Sequence, residues 1–348
     1  MIRRTFFLLT VAGLFCTMGA VAQPFQLPTA NRNLFTAGAE DKFFVGTIGK
    51  PWTSGTFGCV RSDGHQFHEG LDIKCQQRDK KGESIDPVNA TADGTVAYFS
   101  KKSALSNYGN YLVLRHNLEG LEIYSLYAHL KEIRADLKVG QDVRAGEVIA
   151  TMGRTTNTRE GISRDRAHVH FELNFFVSDR FATWYKTAFP KDRNDHGLFN
   201  GHNLIGIDPR EVLLAQKEQG DKFSLVNLLR GQTEMCRVMV RRTDFAWLKR
   251  YAPLVWRNPV ADKEGVAAYE ISLTYFGLPF KVVPRAASEL KSKSKYQLLA
   301  VNEAEYNRCP CRKLVSKRSG RWELASGGTE ARESPFVRDL QYDYRLHR

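Results

Sequence analysis

Beyond the N-terminus the chain has no run of 18 apolar residues, so nothing there is long enough for a membrane-spanning helix. Low-complexity tracts and internal repeats are also missing. Acidic residues are the scarcer charge: 38 Asp+Glu face 51 Lys+Arg, a formal net charge of +13. That balance favours anionic partners such as nucleic acid, a membrane surface or an acidic polymer like cell wall. The rest is ordinary globular composition, 26% charged and 42% hydrophobic over 348 residues. It excludes wholesale disorder and collagen-like or coiled-coil architectures. The length predicts one or two domains and a core that needs no disulfide staples.

The basic surplus is uneven. From Gln216 to Arg348 there are 25 basic and 15 acidic residues, against 26 and 23 in residues 1–215. At the other end, Arg3 and Arg4 precede a mostly apolar Thr5 to Gly19, and Ala20-Val21-Ala22 offers an A-x-A cleavage site before Gln23. Residues 1–22 therefore read as an export signal. Phe15 before Cys16 fits a lipoprotein acylation site poorly. The mature chain is expected in the periplasm or outside the cell, without a transmembrane segment, and export argues against a nucleic-acid partner. Once Cys16 leaves with the signal, five cysteines remain. Five is odd, so at least one thiol is free or paired elsewhere. Cys59 and Cys75 flank a turn-rich segment and form one candidate disulfide. Cys236 with Cys309 or Cys311 is another.

Residues 23–40 are polar and read as a leader. From 41 to 215, short β-rich runs separated by glycine turns predict an antiparallel sheet or sandwich. An aromatic, charged and Gly/Asn-rich stretch, about 175–202, interrupts them as an insertion or lid. Asp208 is the expected cap of a short helix with Pro209 at its first position. The Gln216–Asp221 stretch reads as a linker. Residues 222–348 are expected to form a basic α+β domain, with Thr243 to Val255 helical, Ala267 to Phe276 a strand, and Leu314 to Leu324 a hairpin around Ser319-Gly320.

Histidines concentrate in three segments. In His68-Glu69-Gly70-Leu71-Asp72, Gly70 disfavours helix, so a strand or turn presents His68 and Asp72, both good metal ligands. Ala167-His168-Val169-His170-Phe171-Glu172-Leu173 alternates strictly. It puts Val169, Phe171 and Leu173 on one face and His168, His170 and Glu172 on the other, with the two imidazoles about 6–7 Å apart. The third, Tyr124 to Leu130, carries His129. His68, Asp72 and one of His168 or His170 supply three ligands, as in catalytic zinc sites that keep a fourth position open. Two histidines remain to act on water or on a developing oxyanion. Glu172 is a candidate support for a ligand, and His116 a support or packing histidine. His65, His196, His202 and His347 read as loop or terminal residues.

These blocks, with Pro87 to Val96, Gly109 to His116 and Val139 to Ile149 in the same order, resemble the lysostaphin/LytM-type zinc metallopeptidases over roughly Gly46 to Leu214. The resemblance implies a mainly β, LytM-like catalytic domain that cuts peptide crosslinks or stem peptides of peptidoglycan. It implies one Zn2+ per chain on His68, Asp72 and His170, with His129 and His168 as the catalytic pair. Arg154 to Arg166 replaces a short Gly/Thr/Ser-rich turn usual in the family. Two rival readings are a non-catalytic LytM-like activator of another wall hydrolase and a wall-binding module with structural zinc, closed by His168 or His65 as fourth ligand. The basic C-terminal domain is expected to meet an anionic envelope polymer, on charge alone.

Overall fold

The computed structural model describes residues 24–241, 243, 246–311 and 314–325. The expected export signal (1–22) and His347 lie outside the described residues. In chain order the first strands are β1 (Gly58–Arg61), β2 (Gln66–His68), β3 (Leu71–Lys74), β4 (Pro87–Asn89), β5 (Gly94–Ser100) and β6 (Tyr111–Leu118). β7 (Leu121–Ala128), β8 (Glu132–Ile133), β9 (Asp142–Val143), β10 (Val148–Thr151), β11 (His168–Phe176) and β12 (Leu204–Ile207) follow. All pairings among them are antiparallel, and the main sheet runs β12-β11-β7-β6-β5-β9. The fold is mainly β, as the glycine-punctuated short runs predict.

β11 carries the site. Along one edge it pairs first with β3 and then with β12, and along the other with β7. Every residue of β11 is buried. Val169, Phe171, Leu173 and Phe175 join the main core. Phe176 belongs instead to a second cluster with Tyr111, Tyr124, Leu126 and Leu204, covered by Leu198 and Phe199. A half-polar strand is thus buried on both faces because another segment lies on its front.

That segment is the insertion. After β11 the chain forms a helix, Phe181–Ala188, and two 3-10 turns, Gly197–Phe199 and Gly201–Asn203, before entering β12. It is fastened rather than free. Asn203 Nδ2 donates to the Ser178 and Leu198 carbonyls, and the Tyr111 hydroxyl donates to Phe199 O. The front of the sheet therefore carries a fixed wall.

The leader does not cross this front. Phe25 is buried, its N–H donates to Gln216 Oε1 (2.8 Å), and its carbonyl accepts from Gln216 Nε2 (2.6 Å). Gln216–Asp221, expected as a linker, instead completes the helix Pro209–Gln219 and the turn after it. Gln216 is pulled into this role by the backbone of Phe25. Asp208 caps the same helix, accepting from Arg210 N (2.8 Å).

The C-terminal part is a second antiparallel sheet. It contains β13 (Cys236–Val240), β14 (Ala268–Leu273), β15 (Pro279–Arg285) and β16 (Tyr296–Val301) in the order β15-β14-β13-β16, with short helices around it. Residues 246–250 are the helical part of the expected Thr243–Val255 segment, and a 3-10 turn, Ala252–Leu254, follows because Pro253 cannot continue the ladder. β17 (Val315–Arg318) and β18 (Arg321–Leu324) form the expected hairpin. The two parts share one core. Tyr251 packs on Phe175 at 4.8 Å, accepts Phe176 N–H at 2.8 Å, and Phe276 meets Phe57 at 5.4 Å. Cys59 pairs with Cys311, not with Cys75. Cys75 is held inside by Asp86, where its thiol donates to Oδ2 at 3.0 Å. Cys236 pairs with neither Cys309 nor Cys311: Cys75, Cys236 and Cys309 are buried and lie outside this disulfide.

Candidate metal centre and cleft

Two strands and a tight turn bring the first two donors together. β2 ends at His68, β3 places Asp72 opposite His170 of β11, and Gly70 lies between. A Cβ on Gly70 would lie 2.3 Å from Phe171 O, so only glycine lets the turn sit against β11.

His68 Nε2, Asp72 Oδ1 and His170 Nδ1 form a near-equilateral triangle with sides of 3.1, 3.0 and 3.0 Å. Tetrahedral zinc at about 2.0–2.1 Å from such atoms would separate them by roughly 3.3 Å. The residues present therefore fit zinc with a small outward shift. Among the described residues, these three form the group whose donor atoms lie mutually within 4.8 Å. His168 lies outside that group, with Nε2 3.6 Å from Asp72 Oδ1, and His65 is exposed. This is the chemistry of a three-ligand N2O site with one side open.

Each donor is oriented by a partner on its far side. His68 Nδ1–H donates to Thr56 O at 2.7 Å, and Asp72 Oδ2 accepts from Arg61 Nη2 at 2.6 Å. His170 Nε2–H donates to Glu172 Oε1 at 2.7 Å. Glu172 also accepts from the Tyr108 hydroxyl (2.8 Å) and from Asn174 Nδ2 (2.7 Å). Such outer bonds fix tautomer and orientation. Burial alone would raise the Asp72 carboxyl, but His68, His168, Arg61 and His170 outweigh it and hold it well below the usual range. Burial likewise opposes charge on His170, yet Asp72 and Glu172 pull its pKa up to about 9.

His129 and His168 flank the open side, their rings 4.8 Å apart. His129 Nδ1–H donates to Thr155 O (2.9 Å) and His168 Nδ1–H to Arg166 O (2.7 Å), so Nε2 of each is the unprotonated nitrogen. Burial lowers both pKa values; His168 and His170 push His129 down further, well below the ordinary value. Both rings are neutral near pH 7. His129 has φ of 60°, a left-handed conformation strained for a non-glycine residue. Its own N–H donates to Tyr108 O at 2.8 Å, which holds it there. Gly109 permits the turn beside it: at φ +62° it lies so close to Thr155 that a Cβ would sit 2.2 Å from Thr155 O.

Around this centre lies a cleft of about 680 Å³, lined by Thr47, Arg61, Tyr108, Arg166, His196 and Asn200 among others. The insertion forms its far wall. His196 Nδ1 meets the Tyr98 hydroxyl at 3.0 Å, and Gly201 rests on the Tyr108 hydroxyl. His196 and His202, read as loop residues, are therefore cleft residues. The Arg154–Arg166 stretch lines one side of the cleft with Thr156, Thr158, Glu160, Gly161, Ile162 and Arg166, and Arg154 and Arg164 anchor it on Glu83. His116 lies apart: Nδ1 bonds Asp93 O at 2.8 Å and Nε2 meets Ser125 Oγ at 2.7 Å inside the sheet. Sequence reasoning missed Arg61, Tyr108 and Arg166. Their only signal is position, close before His68, just before Gly109, and two residues before His168.

The profile of Peptidase family M23 matches residues 66–180. Over 108 residues the chain is 38% identical to the murein hydrolase activator NlpD of Escherichia coli K12, covering 31% of this chain and 23% of that protein. It thus spans about a quarter of the length of such relatives. Lipoprotein NlpD of Yersinia enterocolitica is 36% identical over 97 residues, covering 28% of this chain and 86% of that sequence. Among solved structures, a zinc containing peptidase from Vibrio cholerae aligns at 30% identity and TM-score 0.23, over 31% of this chain and 26% of that one. The motif resemblance, the family profile and the sequence relatives point to one group, and the chain belongs to peptidase family M23.

Proposed function

We propose that this protein is an exported zinc metalloendopeptidase that hydrolyses peptide bonds in the stem peptides or crosslinks of peptidoglycan, with its peptidase unit over residues 41–215. One observation carries the reading: three convergent donors leave a side open toward two neutral imidazoles. His68, Asp72 and His170 would hold the ion. When bound, zinc supplies an acidified water and a Lewis acid at the scissile carbonyl. With Nδ1–H committed to backbone carbonyls, His129 and His168 each offer Nε2 as a proton acceptor. Between them they take the proton of the attacking water and, once protonated, donate to the oxyanion of the tetrahedral intermediate and to the leaving amine. Glu172 and Arg61 keep His170 and Asp72 in register.

The test is digestion of purified peptidoglycan by the mature protein with and without a zinc chelator, the fragments read by mass spectrometry. Chelator-sensitive release of peptide-cleaved fragments, absent in Asp72→Ala, is the expected result. Failure to bind zinc would sink the proposal. A second reading, activation of a separate murein hydrolase, is favoured by the function named for the NlpD relatives. His129→Ala separates the two. A peptidase loses activity with its zinc retained, whereas an activator of a partner hydrolase keeps its effect.

A further inference from the structure

We propose that Arg166, with Arg61 beside it, forms a carboxylate-binding subsite at the metal-centre end of the cleft. The preferred substrate is then a peptide with a free carboxylate next to the bond to be cut. This rests on the peptidase reading above and names its substrate class.

Arg166 lies two residues before His168, where the chain enters β11, and lines the cleft with Thr47 and Ile48. Its Nε donates to Gly46 O at 2.9 Å. Its two terminal nitrogens have no partner among the described residues, and no carboxylate there stands within ion-pair distance of it. Partial burial works against its charge, Asp72 helps it, Arg61 works against it again, and Asp165 next in the chain helps it least, without an ion-pair contact. Asp72 is already engaged, with Oδ2 on Arg61 and Oδ1 among the imidazoles. A half-buried cation without an anion is costly to keep. A planar guanidinium fork suits a carboxylate in two-point contact. Arg61 uses Nη2 for Asp72 and Nε for Ser54 O, leaving Nη1 for the same guest.

The opposite end of the cleft differs. Its arginine, Arg193, already pairs with Asp195, and its other polar groups are His196, Asn200 and His202. The open cationic charge therefore sits only at the β11 entry, among the described lining residues. A neutral bridge of small residues would leave Arg166 unpaired, whereas a substrate carboxylate would neutralise it.

The experiment compares one crosslinked stem peptide with its carboxylates free and the same peptide with them amidated, on zinc-loaded full-length protein. Wild type is expected to favour the free acid roughly 10- to 100-fold in kcat/KM, the range of one charge-assisted contact. In Arg166→Gln the preference should collapse towards one, with zinc content and melting temperature unchanged, and Arg166→Lys should recover part of it. Calorimetric titration of both peptides into His129→Ala protein reads binding without turnover. Should wild type cleave neither peptide while calorimetry shows an acid preference that Arg166→Gln removes, the subsite stands and the peptidase reading falls. No preference in either assay, or a preference that survives in Arg166→Gln, overturns the subsite. The latter would mean the carboxylate sits on the metal alone.

Discussion

At the scale of single residues, the candidate centre depends as much on what stands behind each donor as on the donors. Glu172 takes the proton-bearing face of His170 and is itself held by Tyr108 and Asn174. Glu172→Gln should weaken zinc binding about 10- to 100-fold in a chelator competition titration, with the far-UV spectrum unchanged. His116 makes a different prediction. Burial lowers its pKa to about 4, against 6.5 for a free histidine. Between those values the unfolded chain binds more protons than the native one. Stability is therefore full above about pH 6.5, falls as pH drops, and has lost on the order of 3 kcal/mol by pH 4. Denaturant titrations across that range should show this slope, shallower by about one proton in His116→Gln. Much of this scale is legible in the sequence. The strict alternation around His168 and His170 gives the strand, its polar face and Glu172's place on it. Arg166 is not legible, because it ends a charged stretch that looks like solvated loop until β11 and Gly46 are seen to enclose it.

At the scale of elements, β11 is the organiser. Its two edges and two faces bring β3, β7, the insertion and the C-terminal Tyr251 to one place. The β2–β3 turn is its closest neighbour. Gly70→Ala would push a methyl group into Phe171 O and spread β3 from β11, moving Asp72 away from His170. The expected cost is about 1–3 kcal/mol of stability, read as a lower melting temperature, together with weaker zinc binding. Glycine at 70 argues against a helix from sequence alone and leaves a strand or a turn. The pairing of Asp72 with His170, 98 residues later, is fixed by register and invisible to local periodicity. The insertion is visible as a break in the strand pattern, but its fixed place on the front of the sheet depends on Asn203 and Tyr111 finding backbone partners.

At the scale of the whole molecule, composition and spacing leave the pairing of groups open. In the C-terminal part Arg237 and Arg285 share Glu270, Arg308 pairs with Glu305, and Lys317 with Glu303, and these pairs leave the basic surplus of that part in place. The cysteines near one another in sequence do not pair; Cys59 and Cys311 do, across 252 residues. Sequence spacing cannot reveal such a bond, because it follows from how the C-terminal part docks on Phe57 and Phe67. Cys311→Ser should lower stability by about 2–5 kcal/mol, read in denaturant melts against reduced wild type, which should fall to the same value. The bond also sets an order of assembly. Cys59 stands two residues before Arg61 on β1, beside the candidate centre, and its partner is among the last described residues of the chain. That strand cannot be locked until synthesis has passed Cys311, so a chain terminated between His202 and Cys311 carries every histidine of the site but never its fastening.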